Sequence, residues 1–212
     1  MIERANPPTP ASPVAQIHHA NQDDSMQKTL IALGVFLALT TASCSTTSDA
    51  VVEPEHTAIT TESLELYECG DITRLHTFGG IFVASQPTPE DFAQSKMGGV
   101  RTVINLRHEA ENKDFNEREV IEGLELNYVS LPWNGPEELN DGIFDELRNL
   151  LNTAERPILL HCSSANRVGA LWLPWRVLDG GIDLDAALAE AKTVGLKSPV
   201  YEAMAIDYIE RH

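Results

Sequence analysis

The sequence predicts an α/β fold, a single-domain three-layer sandwich in which helices cover both faces of a mostly parallel central sheet of about four to five strands. Short apolar runs typical of buried strands alternate along the chain with segments that carry helix start and stop signals. The composition, with 42% hydrophobic and 22% charged residues, is that of an ordinary globular protein. Three cysteines are too few to build a disulfide-based fold, so the core must come from apolar burial.

The first half of the folded part contains two predicted strands and two predicted helices. Residues 81–84 are a short apolar run between glycines and a proline, which predicts a strand. Residues 88–91 combine an N-cap threonine, a proline and an acid three positions on, and they predict a helix that ends at 98–99. Residues 100–106 predict a buried strand. The highly charged segment 109–122 predicts a surface helix with few apolar anchors.

The second half repeats this alternation. Residues 126–131 predict a third strand, and apolar side chains recur at helical spacing between residues 144 and 151. Residues 158–161 form the most apolar strand, which is typical of the interior of a parallel sheet. Three further helices are predicted to begin after Arg167, after Asp183 and at Ser198.

The charge balance limits the classes of partner. The chain has 15 Lys and Arg residues against 32 Asp and Glu residues, which gives a net charge of −17. Such a negative field disfavours binding to nucleic acid or to anionic lipid by long-range attraction. We therefore expect no nucleic-acid partner, and a phosphorylated ligand would need a strongly positive local pocket.

The N-terminal quarter of the chain predicts export. Residues 26–44 begin with Met and a nearby Lys, continue with an uncharged apolar run and end in small residues, which is the layout of a signal peptide. The apolar run is shorter than the roughly 20 residues that span a bilayer as a helix. We interpret residues 1–25 as a disordered extension or a misassigned start, 45–63 as a flexible tether and 64–212 as the folded domain.

The end of this signal resembles the lipobox of bacterial lipoproteins, in which the cysteine is lipidated and becomes the new N-terminus. The resemblance implies lipidation of Cys44 and a membrane-anchored lipoprotein in the periplasm of a Gram-negative bacterium. Thr41 stands where leucine is usual. Simple cleavage and release into the periplasm therefore stays open, and any membrane contact would be made only through this anchor.

The strongest chemical motif follows the strand at 158–161. Cys162 stands at the end of this strand, residues 163–166 are small or polar, and Arg167 starts the next helix. Backbone N–H groups of such a loop, together with the positive helix N-terminus, form a cradle for an anion, and Arg167 can grip two phosphate oxygens. The same field favours the thiolate of Cys162 as a nucleophile. This combination suits phosphate-monoester transfer through a cysteinyl-phosphate, and it needs no cofactor and no metal.

This segment resembles the protein tyrosine phosphatase superfamily, in particular its dual-specificity-like members. His161, Cys162, Arg167 and Gly169 match the signature in type, and segments 82–112 and 126–134 are also similar. Within the superfamily, residues 76–180 are most like the phosphatase-like domain of bacterial beta-lactamase-hydrolase-like proteins. The resemblance implies a phosphatase that acts on a small phosphorylated substrate or a phosphopeptide. It also implies phosphate binding by Ser163, Ser164, Ala165, Asn166 and Arg167. We interpret His161 as structural support that hydrogen-bonds the loop, whereas Arg107 either supports the loop or pairs with Glu109 or Glu111 at the surface.

The loop departs from the superfamily pattern at three points. Four residues separate Cys162 from Arg167 where five are usual, a short form that is shared by the beta-lactamase-hydrolase-like proteins. Ala165 stands where glycine is usual, and it costs on the order of 1 kcal/mol if the loop needs a positive φ there. Val168 replaces the Ser or Thr whose hydroxyl steadies the departing thiolate, so we expect slow hydrolysis of the intermediate.

The general acid is the least determined part of the site. Asn134 lies near the place where the resemblance puts an aspartic acid, and an amide cannot donate a proton usefully. Three carboxylates of the same loop are candidates to replace it, namely Asp141 first, with Glu137 and Glu138 as alternatives.

Two alternative functions stay open beside the phosphatase. Rhodanese-like sulfurtransferases also carry short cysteine loops and would form a persulfide at Cys162. A catalytically inactive envelope protein that retains the phosphatase fold would explain Asn134, Ala165 and Val168. A disulfide between Cys69 and Cys162 is conceivable in an oxidising compartment, although an unpaired Cys69 is the simpler interpretation.

Overall fold

The computed structural model describes residues 60–212 of the chain. The predicted extension, the signal peptide with its lipidation site at Cys44, and most of the predicted tether lie outside the described residues. Six strands form one sheet, and their bounds are Glu65–Leu66 (β1), Leu75–Phe78 (β2), Ile81–Ala84 (β3), Thr102–Asn105 (β4), Asn127–Ser130 (β5) and Ile158–His161 (β6). Six α-helices cover the sheet, Pro89–Met97 (α1), Glu117–Gly123 (α2), Asp141–Thr153 (α3), Asn166–Leu178 (α4), Leu184–Val194 (α5) and Pro199–Arg211 (α6).

The sheet has the strand order β1-β2-β3-β6-β4-β5. The strands β3, β6, β4 and β5 are parallel neighbours, whereas β1 and β2 extend the β3 edge by antiparallel pairing. The predicted α/β class with a mostly parallel sheet is therefore confirmed. The sheet has more than the four to five strands expected. The sequence did not predict β1 and β2, because β1 has only two residues and β2 interleaves His76 and Thr77 with its apolar positions. Neither strand shows the apolar run that identified the others.

Alternate residues of the central strands build two separate layers of core. Ile104 and Leu160 pack in the cluster that also contains Phe144 of α3 and buried residues of α4, α5 and α6. Val103 and Leu159 point to the opposite face, where they pack with residues of α1 and α2. Side chains alternate between the two faces of a strand, so this division is what a sheet with helices on both sides requires.

The charged segment 109–122 is not the single helix that the sequence predicted. The structure has a short 3₁₀ turn at Glu109–Glu111 and the separate helix α2, which begins only at Glu117. The side chain of Asn116 accepts a hydrogen bond from the backbone N–H of Glu119 at 3.3 Å, and this N-cap starts α2 afresh. The break places Glu111 and Glu117 at the carboxyl end of the sheet.

The predicted helix starts, in contrast, are confirmed. Thr88 and Asp91 form a reciprocal capping box at α1, and the side chains of Asp183 and Ser198 cap α5 and α6. None of the helices between residues 60 and 212 is both long and apolar enough to cross a membrane.

Candidate active site

The loop that contains Cys162 follows β6, which lies between β3 and β4 in the sheet. Cys162 directly follows β6 and is only 1% exposed. Ala165 is the N-cap of α4 and adopts the left-handed conformation, with φ 64° and ψ 2°. A Cβ atom on Gly195 would lie 2.9 Å from the Cβ of Ala165, so the glycine leaves room for the alanine methyl group. Ala165 therefore has the positive φ that the sequence analysis considered, and its methyl group is tightly packed against Gly195.

The backbone N–H groups of this loop are free of acceptors in the described part of the chain. The N–H groups of residues 163–168 donate no hydrogen bond there, and the first amide of α4 to do so is that of Gly169, to the carbonyl of Ala165 at 2.9 Å. The carbonyl of Ser163 instead accepts from the N–H of Gln86 at 3.3 Å. The side-chain oxygen of Asn166 accepts from the N–H groups of Lys197 and Ser198, at 2.8 and 3.1 Å. Consecutive free N–H groups at a helix N-terminus can bind an anion.

The side chain of Arg167 is buried and held by an ion pair. Its Nη1 donates to Glu111 Oε1 at 2.8 Å and its Nη2 to Glu111 Oε2 at 2.6 Å. Nη1 also donates to the carbonyls of Leu106 and Trp133, at 2.9 and 2.6 Å. Burial opposes the charged form of Arg167. Its hydrogen bonds to Glu111 and its interaction with the nearby Cys162 outweigh burial and raise the pKa of the guanidinium. This clamp occupies the end of the guanidinium and leaves its Nε–Nη2 edge for a second two-pronged contact.

A second set of buried polar contacts lies beneath the loop. His161 Nε2 lies 3.0 Å from Glu117 Oε1, and Glu117 Oε2 accepts from the side-chain amide of Gln86 at 2.8 Å. Arg107 donates from Nη1 to the side-chain oxygen of Gln86 and from Nη2 to the carbonyl of Glu111, both at 2.5 Å. Burial would raise the pKa of Glu117, but the charge and hydrogen bond of His161 lower it. These hydrogen bonds connect His161, which precedes the cysteine, to Glu111, which binds Arg167.

The three candidate general acids make different contacts in the structure. Both carboxylate oxygens of Asp141 accept from Arg211, at 2.6 and 2.8 Å, so this first candidate is engaged with the last turn of α6. Glu137 is exposed, and among the described residues it makes no side-chain hydrogen bond. Glu138 Oε2 accepts from the N–H of Asn134 at 2.7 Å and lies 2.6 Å from His108 Nε2.

His108 links Glu138 to the arginine clamp. The backbone N–H of His108 donates to Glu111 Oε1 at 2.9 Å, the same oxygen that accepts from Arg167 Nη1. The hydrogen bond from His108, followed by that from the backbone of Asn134, lowers the pKa of Glu138. His108 and Glu138 lie at the rim of the site, and their rings and oxygens are partly exposed.

Four residues of this site were not among the sequence-based candidates, namely His108, Glu111, Glu117 and Gln86. Of these, His108 directly precedes the segment 109–122, and Glu111 and Glu117 lie within it; that segment was predicted to be a surface helix, in which acids carry no special meaning. The available signal was their position after the predicted strand at 100–106, because ligands bind at the carboxyl ends of parallel strands.

Cys69 and Cys162 lie on opposite faces of the sheet, and both thiols are free. The Sγ of Cys69 lies 3.8 Å from Gln94 Oε1, and burial together with the charge of Asp91 raises the pKa of this thiol. Within residues 60–212, no three His, Cys, Asp or Glu side chains are grouped so that they could hold a metal ion.

Comparison with known families agrees with this geometry. Residues 74–176 match the family described as beta-lactamase hydrolase-like protein, phosphatase-like domain. The beta-lactamase hydrolase-like protein of Xylella fastidiosa (strain 9a5c) is 27% identical over 135 residues, which cover 61% of this chain and 30% of that protein. The chain thus spans less than a third of the length of this curated relative.

Solved structures share the fold. TpbA of P. aeruginosa superposes with a TM-score of 0.56 at 21% identity and covers 70% of this chain and 89% of its own. The Siw14 catalytic core gives a TM-score of 0.56 at 18% identity, over 69% of this chain and 88% of its own. A cysteine-to-serine variant of TpbA, crystallised with phosphotyrosine, gives 0.54 at 22% identity, over 70% and 91%. The resemblance to the protein tyrosine phosphatase superfamily is therefore confirmed at the level of the fold.

Proposed function

We propose that this chain is a cysteine-dependent phosphatase that hydrolyses a phosphate monoester through a cysteinyl-phosphate intermediate. One observation carries the proposal. A buried cysteine, free backbone N–H groups at residues 163–168 and an arginine with one free edge belong to a single strand-to-helix loop. A bound phosphoryl group exposes three equatorial oxygens, and these donors match the charge that such a group carries.

The reaction divides into two displacements at phosphorus. In the first, the sulfur of Cys162 bonds to phosphorus while the bond to the ester oxygen breaks, and the departing oxygen takes a proton. In the second, water attacks the phosphorus and gives up a proton, the sulfur–phosphorus bond breaks, and inorganic phosphate leaves. The clamp of Glu111 on Arg167 holds the guanidinium ready for the phosphoryl oxygens throughout both steps.

We assign the proton of the first step to His108, with Glu138 as the residue that positions it. The carboxylate of Glu138, whose pKa is lowered, lies 2.6 Å from His108 Nε2 and orients the imidazole beside the arginine clamp. The same imidazole, now neutral, accepts the proton of water in the second step. Asp141 was the first sequence-based candidate, but both of its oxygens are bound by Arg211.

The test uses the purified full chain with an aryl phosphate. We expect phosphate release by the wild-type chain, loss of turnover to background in Cys162→Ser, and a loss of about 100-fold or more in Arg167→Lys, because lysine lacks the planar fork. Thiosulfate with cyanide, supplied in parallel, tests the sulfurtransferase alternative. If the wild type and Cys162→Ser are equally inert toward both substrates, the protein is not an enzyme of either class.

We propose further that the protein is exported and anchored by a lipid at Cys44. The support is the signal-like layout of residues 26–44 and the lipobox-like end of that segment. Mass analysis of the protein from a Gram-negative expression host tests this proposal. We expect an N-terminus at Cys44 that carries acyl chains, and a full-length or soluble product in Cys44→Ala. An unmodified N-terminus upstream of residue 26 would contradict it.

A further inference from the structure

A cavity of about 370 Å³ lies beside the loop of Cys162, at the carboxyl ends of β4 and β5. Cavities of roughly 300–1,000 Å³ are the usual size of small-molecule sites. Residues 162–167 do not line it, so it is distinct from the anion cradle. Arg107 and Glu117 line the cavity and also belong to the polar network beneath the loop.

The cavity and the cradle are close neighbours in the sheet. The cradle follows β6, and the cavity lies over β4 and β5, which are the next two strands. Neighbouring strands are about 4.8 Å apart, so the two sites are separated by roughly 5–10 Å. A small molecule with a phosphoryl group in the cradle can therefore place its other end in the cavity.

The donors of the cavity exceed its available acceptors. Asn112 Nδ2 is buried and has no hydrogen-bond partner among residues 60–212; Arg107 Nε also makes no hydrogen bond there, but it lies 3.8 Å from Glu111 Oε2. Lys113, a third lining residue, makes no hydrogen bond or ion pair in the same part of the chain, and it is exposed. A buried donor without a partner costs about 1–3 kcal/mol, so a ligand that supplies acceptor oxygens is favoured here.

The charge of the cavity is opposite to that of the chain. Arg107, Lys113 and Arg118 line it against two carboxylates, in a protein with a net charge of −17. Of the two carboxylates, Glu117 is engaged by His161 and Gln86, and Glu109 is exposed to water. Of the three cations, Arg118 pairs with Glu122 at 3.3 Å and Arg107 lies 3.8 Å from Glu111. Lys113 is therefore the cation of the lining that can pair with an anionic group of the ligand.

We propose that this cavity binds the leaving group of the substrate, and that this leaving group carries a second anionic, oxygen-rich group. The substrate class is therefore a small doubly phosphorylated or phosphorylated and carboxylated molecule, rather than a phosphotyrosyl peptide. The proposal rests on the phosphatase function of the neighbouring loop. A tyrosyl ring would leave Lys113 and the buried amide of Asn112 without acceptors.

Binding to the full-length Cys162→Ser chain, measured by calorimetry, tests the cavity without turnover. The probes are fructose 1,6-bisphosphate, fructose 6-phosphate and a phosphotyrosyl peptide. We expect the bisphosphate to bind at least tenfold more tightly than the monophosphate, and we expect this ratio to fall about tenfold in Lys113→Ala and in Arg118→Ala. Lys192→Ala, which removes an exposed lysine on α5, is the matched control and should keep the ratio.

Two outcomes would overturn the inference, namely equal binding of the two sugar phosphates, or a preference that persists in both cavity variants. Tighter binding of the phosphotyrosyl peptide, unchanged in Lys113→Ala, would replace it with a peptide substrate. Turnover by the wild-type chain separates this result from the proposed function. Bisphosphate binding with no phosphate release from any ester would refute the phosphatase while the cavity site stands.

Discussion

The loop that follows β6 and the segment that follows β4 meet at the same edge of the sheet, yet they supply the site differently. The β6 loop contributes a nucleophile, free N–H groups and an arginine from six consecutive residues, 162–167. The β4 segment contributes Arg107, His108 and Glu111, which act only because the fold brings them to that loop. In the proposed reaction, the first region supplies the nucleophile and the anion-binding N–H groups, and the second positions the arginine and supplies the proton.

We expect the largest effect on turnover from replacing His108, the proposed proton donor of the β4 segment. In His108→Asn we expect turnover of an alkyl phosphate to fall about 100-fold or more, because an alkoxide leaves poorly without a proton. Turnover of 4-nitrophenyl phosphate should fall less than about threefold, because its leaving group needs no proton. Steady-state kinetics on both substrates from pH 5 to 9 measure these changes.

Matched variants keep this prediction specific. His212→Asn removes a histidine at the end of α6 and should leave both substrates unaffected. Glu138→Gln should reproduce the His108→Asn pattern in weaker form, since it removes the carboxylate that orients the imidazole. An equal loss on alkyl and aryl substrates would assign His108 to structure alone and would leave the β4 segment without a chemical role.

The arginine clamp gives the next largest effect. In Glu111→Gln we expect kcat/KM to fall about tenfold on every substrate, which corresponds to the roughly 1.5 kcal/mol of a hydrogen bond to a charged group. The pKa of Glu111 is lowered in the fold, since the hydrogen bond and charge of Arg167 outweigh the effect of burial. Stability from this pair is therefore present above the pKa of Glu111 in the unfolded chain, and it is lost as the pH falls through the lowered value in the folded chain.

Unfolding in denaturant at several pH values checks the expected loss of stability at low pH. The wild type should lose stability relative to Glu111→Gln as the pH drops below about 4.5, and the two should converge once the carboxyl is protonated. Glu119→Gln, on the exposed face of α2, is the control for the loss of one acid. A variant that keeps full activity at pH 7 would show that Arg167 is positioned by the carbonyls of Leu106 and Trp133 alone.

The same contrast explains how much of the molecule could be predicted from its sequence. The central strands and the helix caps were predictable because apolar runs and capping residues act locally, as at residues 158–161 and 88–91. The β6 loop was recognisable for the same reason, since its residues are contiguous. Glu111 was not, because its meaning depends on an ion pair with a residue 56 positions away in the chain. Asn116 decided the break in the predicted surface helix, and an N-cap inside a charged stretch is easily interpreted as a surface residue.

The smallest expected effect concerns the one strained residue of the β6 loop. Ala165 has φ 64°, which costs a non-glycine residue about 1–2 kcal/mol. Its methyl group is fully buried and faces Gly195, and burial of one such group returns about 0.8 kcal/mol. Glycine at this position would also widen the unfolded ensemble, at a cost of about 0.4–1 kcal/mol. These opposing terms nearly cancel, so Ala165→Gly should change the free energy of unfolding by less than about 0.5 kcal/mol.

Equilibrium denaturation of the wild type and Ala165→Gly measures this balance, with Ala187→Gly in α5 as the control. Ala187 is equally buried but helical, so its replacement loses the methyl group without relieving a positive φ and should cost more than 1 kcal/mol. A stabilisation of Ala165→Gly by more than about 1 kcal/mol would mean that strain in the loop outweighs the methyl contact. The alanine would then be retained for the rigidity that it gives to the N–H groups around the anion, and its effect would be found in phosphate affinity rather than in stability.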